Sequence, residues 1–326
     1  MSAPTLGEVR AAASSLDGII TKTPLLENVE VNANLSGRLL IKNEAMQRTG
    51  AFKFRGAYNR ISQMDSAQKA RGVITYSSGN HAQGIALAAK LLRTSALIVM
   101  PSDVPQAKMD QTRALGAEIT TYERCAESSD DVVNRLQAET NRIIVPPSED
   151  RRILAGGGTV PLEVFQQSDV PIDAILVPCG GGGLTAATAI VMNELSPVTQ
   201  VFGVEPELFD DTRRSLATGK RVANPEGQTT ICDAIMTPIP NALTFSINKD
   251  LLSGVLIVTD EEVRNAMRFA FDRYKIIVEP GGAVGLAAVL SGKIAIENKT
   301  IVVVITGGNV GATTFADILT TTNTST

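Results

Sequence analysis

Histidine is nearly absent from this chain, tryptophan is wholly absent, and there are three cysteines in 326 residues. With His81 the one imidazole, a multi-histidine metal site and a His-based catalytic triad are both set aside. Cys125, Cys179 and Cys232 are far apart, odd in number and without metal-ligand spacing, so they read as reduced structural thiols, Cys179 lying beside a glycine run. No apolar stretch approaches the roughly 18 residues that a membrane-spanning helix needs. Met1-Ser2-Ala3-Pro4-Thr5 lacks the basic and apolar regions of a signal peptide, so a cytoplasmic location is the expectation. Neither sign of charge dominates: 30 Lys and Arg face 34 Asp and Glu, a net charge of −4 that argues against a nucleic-acid partner.

What the chain has is apolar residues, 44% of the total, enough for one large core or two smaller ones. They fall in short runs separated by segments with i, i+3, i+4 spacing. Strands are expected at residues 39–41, 73–75, 96–100, 119–122, 143–145, 175–177, 201–204, 255–258 and 301–305. Such alternation predicts an α/β protein whose parallel sheets are covered by helices on both faces, because Val/Ile runs of this kind suit strands buried on both sides. Val145-Pro146-Pro147-Ser148-Glu149-Asp150 is the candidate linker, and the threonine-rich tail over residues 320–326 is expected to fray.

Three segments carry chemistry. In Thr49-Gly50-Ala51-Phe52-Lys53-Phe54-Arg55-Gly56-Ala57 one lysine stands between two rings, where lost hydration lowers an amine's pKa and frees it to attack an aldehyde. Ser77-Ser78-Gly79-Asn80-His81-Ala82-Gln83-Gly84 joins an expected strand to an expected helix, so its free N–H groups suit a carboxylate or phosphate. Pro178-Cys179-Gly180-Gly181-Gly182-Gly183-Leu184-Thr185 does the same with four glycines, which let several N–H groups converge on one anion. A nicotinamide-binding turn is the competing reading of that run, but Thr185 occupies the last glycine position of a G-x-G-x-x-G pattern starting at Gly180.

Together these segments resemble the fold-type II pyridoxal-phosphate enzymes, in the branch that holds serine and threonine dehydratases, serine racemases and 3-hydroxyaspartate dehydratases. The resemblance runs from Thr23-Pro24-Leu25 through Gln47-Arg48-Thr49-Gly50 to Ile305-Thr306-Gly307-Gly308-Asn309. It implies a small domain of residues 72–147 inserted in a large one of residues 1–71 and 148–326, with the cofactor in the cleft between. It implies that Lys53 condenses with the cofactor's aldehyde, that Phe52 packs on its face, and that Asn80 donates to its phenolic oxygen. Gly180, Gly181, Gly182 and Gly183 with Leu184 would hold the phosphate. Thr306 would meet the ring nitrogen with a neutral hydroxyl, which favours loss of a β-hydroxyl over deeper delocalisation; Thr306 is also simply the residue that ends an apolar strand.

Substrate anchoring falls on Ser77, Ser78, Gly79, Asn80 and His81. The family's dedicated threonine dehydratases often have Ala where Ser78 stands, whereas racemases have Ser, so Ser78 is either the acid/base on the face opposite Lys53 or a carboxylate anchor. His81 is expected to order the first turn of its helix. Glu205 and Asp211 with the carbonyl of Phe209 match the Mg²⁺ or Ca²⁺ ligands of the racemase-like enzymes, although acidic residues opening a helix also serve as dipole complements.

Three departures bear on the substrate. Relatives that accept dicarboxylates carry an Arg in the loop that here reads Ala126-Glu127-Ser128-Ser129-Asp130-Asp131, and Arg124 is the nearest substitute. Gly157 replaces a Gln and Ala234 a Gly, changes with no physical account at this level. The expected protein is a pyridoxal-phosphate dehydratase that releases ammonia and a 2-oxo acid from a small β-hydroxy amino acid, serine or threonine first. A racemase or hydroxyaspartate dehydratase is the alternative, and a non-catalytic amino-acid sensor on the same scaffold is the reading from a different class. A homodimer is the expected assembly.

Overall fold

A computed structural model describes residues 2–123 and 126–321; Arg124, Cys125 and most of the threonine-rich tail lie outside them. Among the described residues, ten strands make two sheets. The larger uses β1 (Leu25–Glu27), β2 (Arg38–Asn43), β7 (Ala174–Pro178), β8 (Gln200–Pro206), β9 (Gly254–Val258) and β10 (Thr300–Ile305), in the order β1-β2-β10-β7-β8-β9. The smaller uses β3 (Val73–Tyr76), β4 (Ala96–Pro101), β5 (Glu118–Tyr122) and β6 (Ile143–Ile144), in the order β5-β4-β3-β6. Every pairing is parallel except β1 with β2.

Side-chain alternation explains why these runs are apolar throughout. In β10, Ile301, Val303 and Ile305 face one core with Leu39, Ile41 and Leu176, under the helix Pro280–Leu290. Val302 and Val304 face a second core with Leu40, Ile175 and Val177, under the helices Leu6–Leu16, Thr159–Gln167 and Gly183–Leu195. Val303 is in register with Ile41 on one side and Leu176 on the other. The smaller sheet shares a third core with the helix Lys53–Ser62, whose Phe54, Ala57 and Ile61 pack among Val73, Ile85 and Ile98.

A buried ionic cluster fixes that helix from behind. The Arg55 guanidinium, wholly buried, pairs with Glu44 at 2.7 Å and Glu163 at 2.7 Å, and Lys42 pairs with Glu163 at 2.6 Å. β3 of the smaller sheet and β7, β8 and β10 of the larger each run into a segment with candidate site residues at their carboxyl ends, where open parallel sheets place their ligands.

Candidate active site

Lys53 opens its helix because the preceding segment is sewn to the end of β10. Ala51 bridges Gly307, the Phe52 N–H donates to the Thr306 carbonyl at 3.0 Å, and the Gly308 N–H donates to the Gly50 carbonyl at 2.9 Å. Lys53 keeps some accessible surface, yet its amine is ringed by protein atoms, and that desolvation lowers its pKa to about 8. Nζ donates to the Pro147 carbonyl at 3.1 Å and stands 5.2 Å from the centre of the Phe52 ring. Beside it lies a small cavity of about 20 Å³ lined by Phe52, Pro147, Gly157, Gly183 and Leu184.

The loop after β7 is built to present its N–H groups. Its carbonyls are turned away and held: Thr244 Oγ1 donates to Gly181 at 2.6 Å and Asn248 Nδ2 to Gly182 at 3.3 Å. The N–H groups of Gly180, Gly181 and Gly182 have no partner among the described residues. Only glycine fits this turn: Gly182 has φ +80°, and a Cβ on Gly181 would come within 2.6 Å of Asn241 Nδ2 and 3.0 Å of Ser148 Oγ. The helix Ala242–Leu251 that supplies these contacts is fixed in turn, because Glu149 accepts the Ala242 N–H at 2.6 Å.

The family profile described as pyridoxal-phosphate dependent enzyme matches residues 16–307. The chain belongs to the pyridoxal-phosphate dependent enzyme family. It is 39% identical over 312 residues to the L-threo-3-hydroxyaspartate ammonia-lyase of a Pseudomonas species, covering 96% of this chain and 97% of that one. It is 38% identical over 316 residues to the serine racemase of Schizosaccharomyces pombe, covering 97% of each. The crystal structure of the serine racemase from Dictyostelium discoideum superposes with a TM-score of 0.88 at 35% identity, over 94% of this chain and 99% of that one. The fold is thus the α/β, two-sheet fold of the fold-type II enzymes.

As a pyridoxal-phosphate dependent enzyme, the chain offers the cofactor a fitting set of groups. A poorly solvated amine stands where an aldehyde can be met, unpaired N–H groups suit a phosphate, and Thr306, 6% exposed, has a hydroxyl without a protein partner among the described residues. Leu184 is buried behind the loop. Asn80, at the start of the helix Asn80–Leu91, donates through Nδ2 to Glu279 Oε1 at 2.6 Å and accepts through Oδ1 from Asn309 Nδ2 at 2.8 Å. Asn309 also donates to the Thr49 carbonyl at 2.7 Å, so one side chain joins the lysine segment, the Asn80 turn and the end of β10.

Within the Asn80 turn, Ser77 Oγ accepts the Gly79 N–H at 3.2 Å, and Ser78 is half-buried. His81 points the other way. It is buried, its Nε2 lies 3.2 Å from the Val145 carbonyl, and burial followed by the Lys53 charge lowers its pKa to about 3. The imidazole is therefore neutral and ties its helix to the strap that starts at Val145. Glu279 is not legible as a site residue from the sequence. Its one signal is an isolated charge between Ile276-Ile277-Val278 and the uncharged helix Pro280–Leu290.

Glu205 lies in β8, and Phe209 and Asp211 follow its end, far in sequence from Lys53, which opens a helix. Glu205 is wholly buried and accepts the N–H groups of Thr212 at 2.9 Å and Arg213 at 3.0 Å, at the start of the helix Asp211–Thr218. Asp211 Oδ1 accepts from Asn224 Nδ2 at 2.8 Å, while its buried Oδ2 has no partner. Burial, with Asp211 next, raises the Glu205 pKa to about 8, and burial raises that of Asp211 to about 6. Among the described residues no three acidic, His or Cys side chains converge as metal ligands. The carboxylates of Glu205 and Asp211 are hard-oxygen groups of the kind that Mg²⁺ or Ca²⁺ accepts.

Cys179 and Cys232 are buried free thiols, and desolvation raises both pKa values, that of Cys232 to about 12. In the acidic loop, Ser128 caps the helix Ser129–Thr140, which puts Asp130 and Asp131 in its first turn, and Glu127 pairs with Arg135. These charges are engaged by the helix and by Arg135. A Cβ on Gly157 would meet nothing closer than 3.9 Å, so the missing side chain leaves the space beside Lys53 open.

Proposed function

We propose that this chain is a pyridoxal-phosphate dehydratase that converts a small β-hydroxy amino acid, serine or threonine first, to a 2-oxo acid and ammonia. The observation that carries the reading is the amine of Lys53, kept poor in hydration beside a loop of unpaired N–H groups. When bound, pyridoxal phosphate supplies an electron sink for the substrate's α-carbon. Lys53 Nζ, largely unprotonated above its lowered pKa, takes the α-proton. The N–H groups of Gly180 to Gly183 with Leu184 would hold the phosphate, Phe52 would pack on the ring, and Asn80 would serve the phenolic oxygen. The Ser77-Ser78-Gly79-Asn80-His81 turn receives the α-carboxylate. Thr306 would offer the ring nitrogen an uncharged hydroxyl, a setting that would favour departure of the β-hydroxyl.

In this reading residues 72–147 act as a small domain closing on a large one of residues 1–71 and 148–326. Glu205, Asp211 and the Phe209 carbonyl would hold a Mg²⁺ or Ca²⁺ ion that would brace the large one. The working form is a cytoplasmic homodimer, with no nucleic-acid or membrane partner. No helix among the described residues is long and apolar enough to cross a membrane. The deciding experiment is a screen of serine, threonine and 3-hydroxyaspartate stereoisomers for 2-oxo acid release. Release from L-serine or L-threonine supports the reading. Release from hydroxyaspartate alone would give it up in favour of the activity named for the Pseudomonas relative, and binding without turnover would favour a sensor.

A racemase reading is favoured by one observation: Ser78 has no hydrogen-bond partner among the described residues, so its hydroxyl is free to serve the face opposite Lys53. Inversion needs a proton donor there, and elimination from an L-amino acid does not. Ser78→Ala should abolish interconversion of L- and D-serine, followed by chiral chromatography. Elimination from L-serine should fall only by the loss of one hydrogen bond of about 0.5–1.5 kcal/mol. Racemisation undiminished in the variant sinks this role.

A further inference from the structure

Glu279 stands at the N-cap of the helix Pro280–Leu290 but forms no side-chain cap there. Its carboxylate instead leaves its own helix and crosses to the helix Asn80–Leu91, where Oε1 accepts a hydrogen bond from the Asn80 amide NH₂ at 2.6 Å. The orientation of that amide is not arbitrary, because Asn309 Nδ2 donates to its Oδ1 and so fixes which end is the NH₂ group. An NH₂ group carries two protons. One is committed to Glu279, and the other is left for a ligand in the cleft.

The surroundings of Glu279 are dry and charged. The residue is 3% exposed, and its Oε1 lies so close to Gly307 that a Cβ there would stand 2.4 Å away. The Asn309 backbone N–H faces it from the end of β10. Asp233, in the turn Asp233–Ile235, and Lys108, in the helix Gln106–Ala114, act on it from the two walls of the cleft and pair with each other at 2.8 Å. His81, next to Asn80, is neutral and directed at Val145, so it contributes no charge. Asn80 with Glu279, Asn80 with Asn309, and Lys108 with Asp233 thus join helices beside the smaller sheet to the larger body, and of the acidic partners Glu279 is the buried one.

We propose that Glu279 is a positioning residue: as a carboxylate it holds the Asn80 amide across the cleft, and taking up a proton releases that hold. A charged acceptor makes a hydrogen bond roughly twice as strong as a neutral one, so the change from carboxylate to carboxyl is felt by Asn80 directly. Burial first and then Asp233 raise the Glu279 pKa to about 7, against Asn80, Lys108 and the Asn309 N–H, which lower it. The hold is then present above neutrality and lost below it, in a range where an ordinary glutamate does not titrate. The effect on the cofactor rests on the reading of Asn80 as partner of the phenolic oxygen; the tie between the two side chains does not.

The test uses the holoenzyme of wild type, Glu279→Gln, Glu279→Asp and Asn80→Ala. Hydrogen exchange of the helix Asn80–Leu91, corrected for intrinsic rates, is followed from pH 6 to pH 8.5 beside kcat/KM and the dissociation constant for pyridoxal phosphate. Wild type should gain at least fivefold in protection across a midpoint near 7. Glu279→Gln, the same shape without the titrating group, should show the low protection at every pH and keep only the kcat/KM limb that belongs to Lys53. Glu279→Asp should restore a pH-dependent limb, because it restores a charge. If Glu279→Gln retains the limb near 7, or wild-type protection does not vary with pH, the proposal is wrong. Should Glu279→Gln not fold, Asn80→Ala cuts the same tie from the other side and must also flatten the exchange profile. An Asn80→Ala protein whose visible spectrum and cofactor affinity match wild type overturns the phenolic-oxygen reading alone, since the exchange profile still judges the tie.

Discussion

Lys53 and His81 are both pushed by burial toward their neutral forms, and the two shifts act at opposite ends of the pH scale. For Lys53 the folded pKa of about 8 lies below the unfolded value, so the folded state binds fewer protons between them. Activity should therefore climb with pH through about 8, as the free amine appears. Lys53→Ala should abolish turnover and the visible absorbance of lysine-bound cofactor, because the other lysine nearby in sequence, Lys42, is locked to Glu163 in the buried cluster. His81 stays unprotonated in the fold down to about 3, whereas the unfolded chain takes up a proton near 6.5. That contribution to stability is complete above 6.5 and lost as pH falls, by about 2 kcal/mol at pH 5. His81→Gln should flatten the decline of denaturation midpoint between pH 7 and pH 5; a variant with the wild-type slope would show that the imbalance lies elsewhere.

At the level of elements, strand–turn–helix joints are the most legible feature, since apolar runs mark the strands and glycine or serine follows closely at the ends of β3, β7 and β10. Residues 175–177 lie inside β7 and residues 301–305 inside β10. The edge strand β1 gives no such signal, because three residues are too few to display alternation, and only its antiparallel pairing with β2 defines it. The glycine run is legible as an anion cradle, but its support is not: Glu149 reads as one more charge in a proline-rich linker, and only the fold puts it on the N-terminus of the helix Ala242–Leu251. Removing that acceptor leaves helix N–H groups without a partner. Glu149→Ala should cost about 0.5–2 kcal/mol of stability, as other helix caps do. It should also raise the dissociation constant for pyridoxal phosphate, since Thr244 and Asn248 hold the glycine carbonyls from that helix. Thermal melts and equilibrium dialysis read the two effects.

For the molecule as a whole, Glu205 and Asp211 are two buried acids in the larger body whose burial raises both pKa values, and Asp211 Oδ2 has no partner. A divalent cation bound only by the folded state adds about 2.7 kcal/mol at a hundred times its dissociation constant. Chelation should lower the melting temperature, and Asp211→Ala should remove the difference between EDTA and millimolar Mg²⁺ or Ca²⁺. A wild-type protein that melts identically in both would remove the ion from this account. Charges such as Lys42 and Arg55 show where sequence reading stops: a basic residue reads as solvated, and only the convergence of Glu44 and Glu163 from distant segments makes its burial tolerable.

The place of β10 has a consequence for how the chain is made. It is the last strand in order, yet it lies in the middle of the larger sheet, between β2 and β7, and its end carries the residues sewn to Ala51 and Phe52. During synthesis β2 emerges some 260 residues before the strand it must pair with, so it waits as an open hydrophobic edge while most of the protein is translated. Nascent chains stopped before residue 300 should stay protease-sensitive throughout residues 25–62 and bind no pyridoxal phosphate, however long they are left. Those extended past Asn309 and clear of the ribosome should acquire both properties in one step.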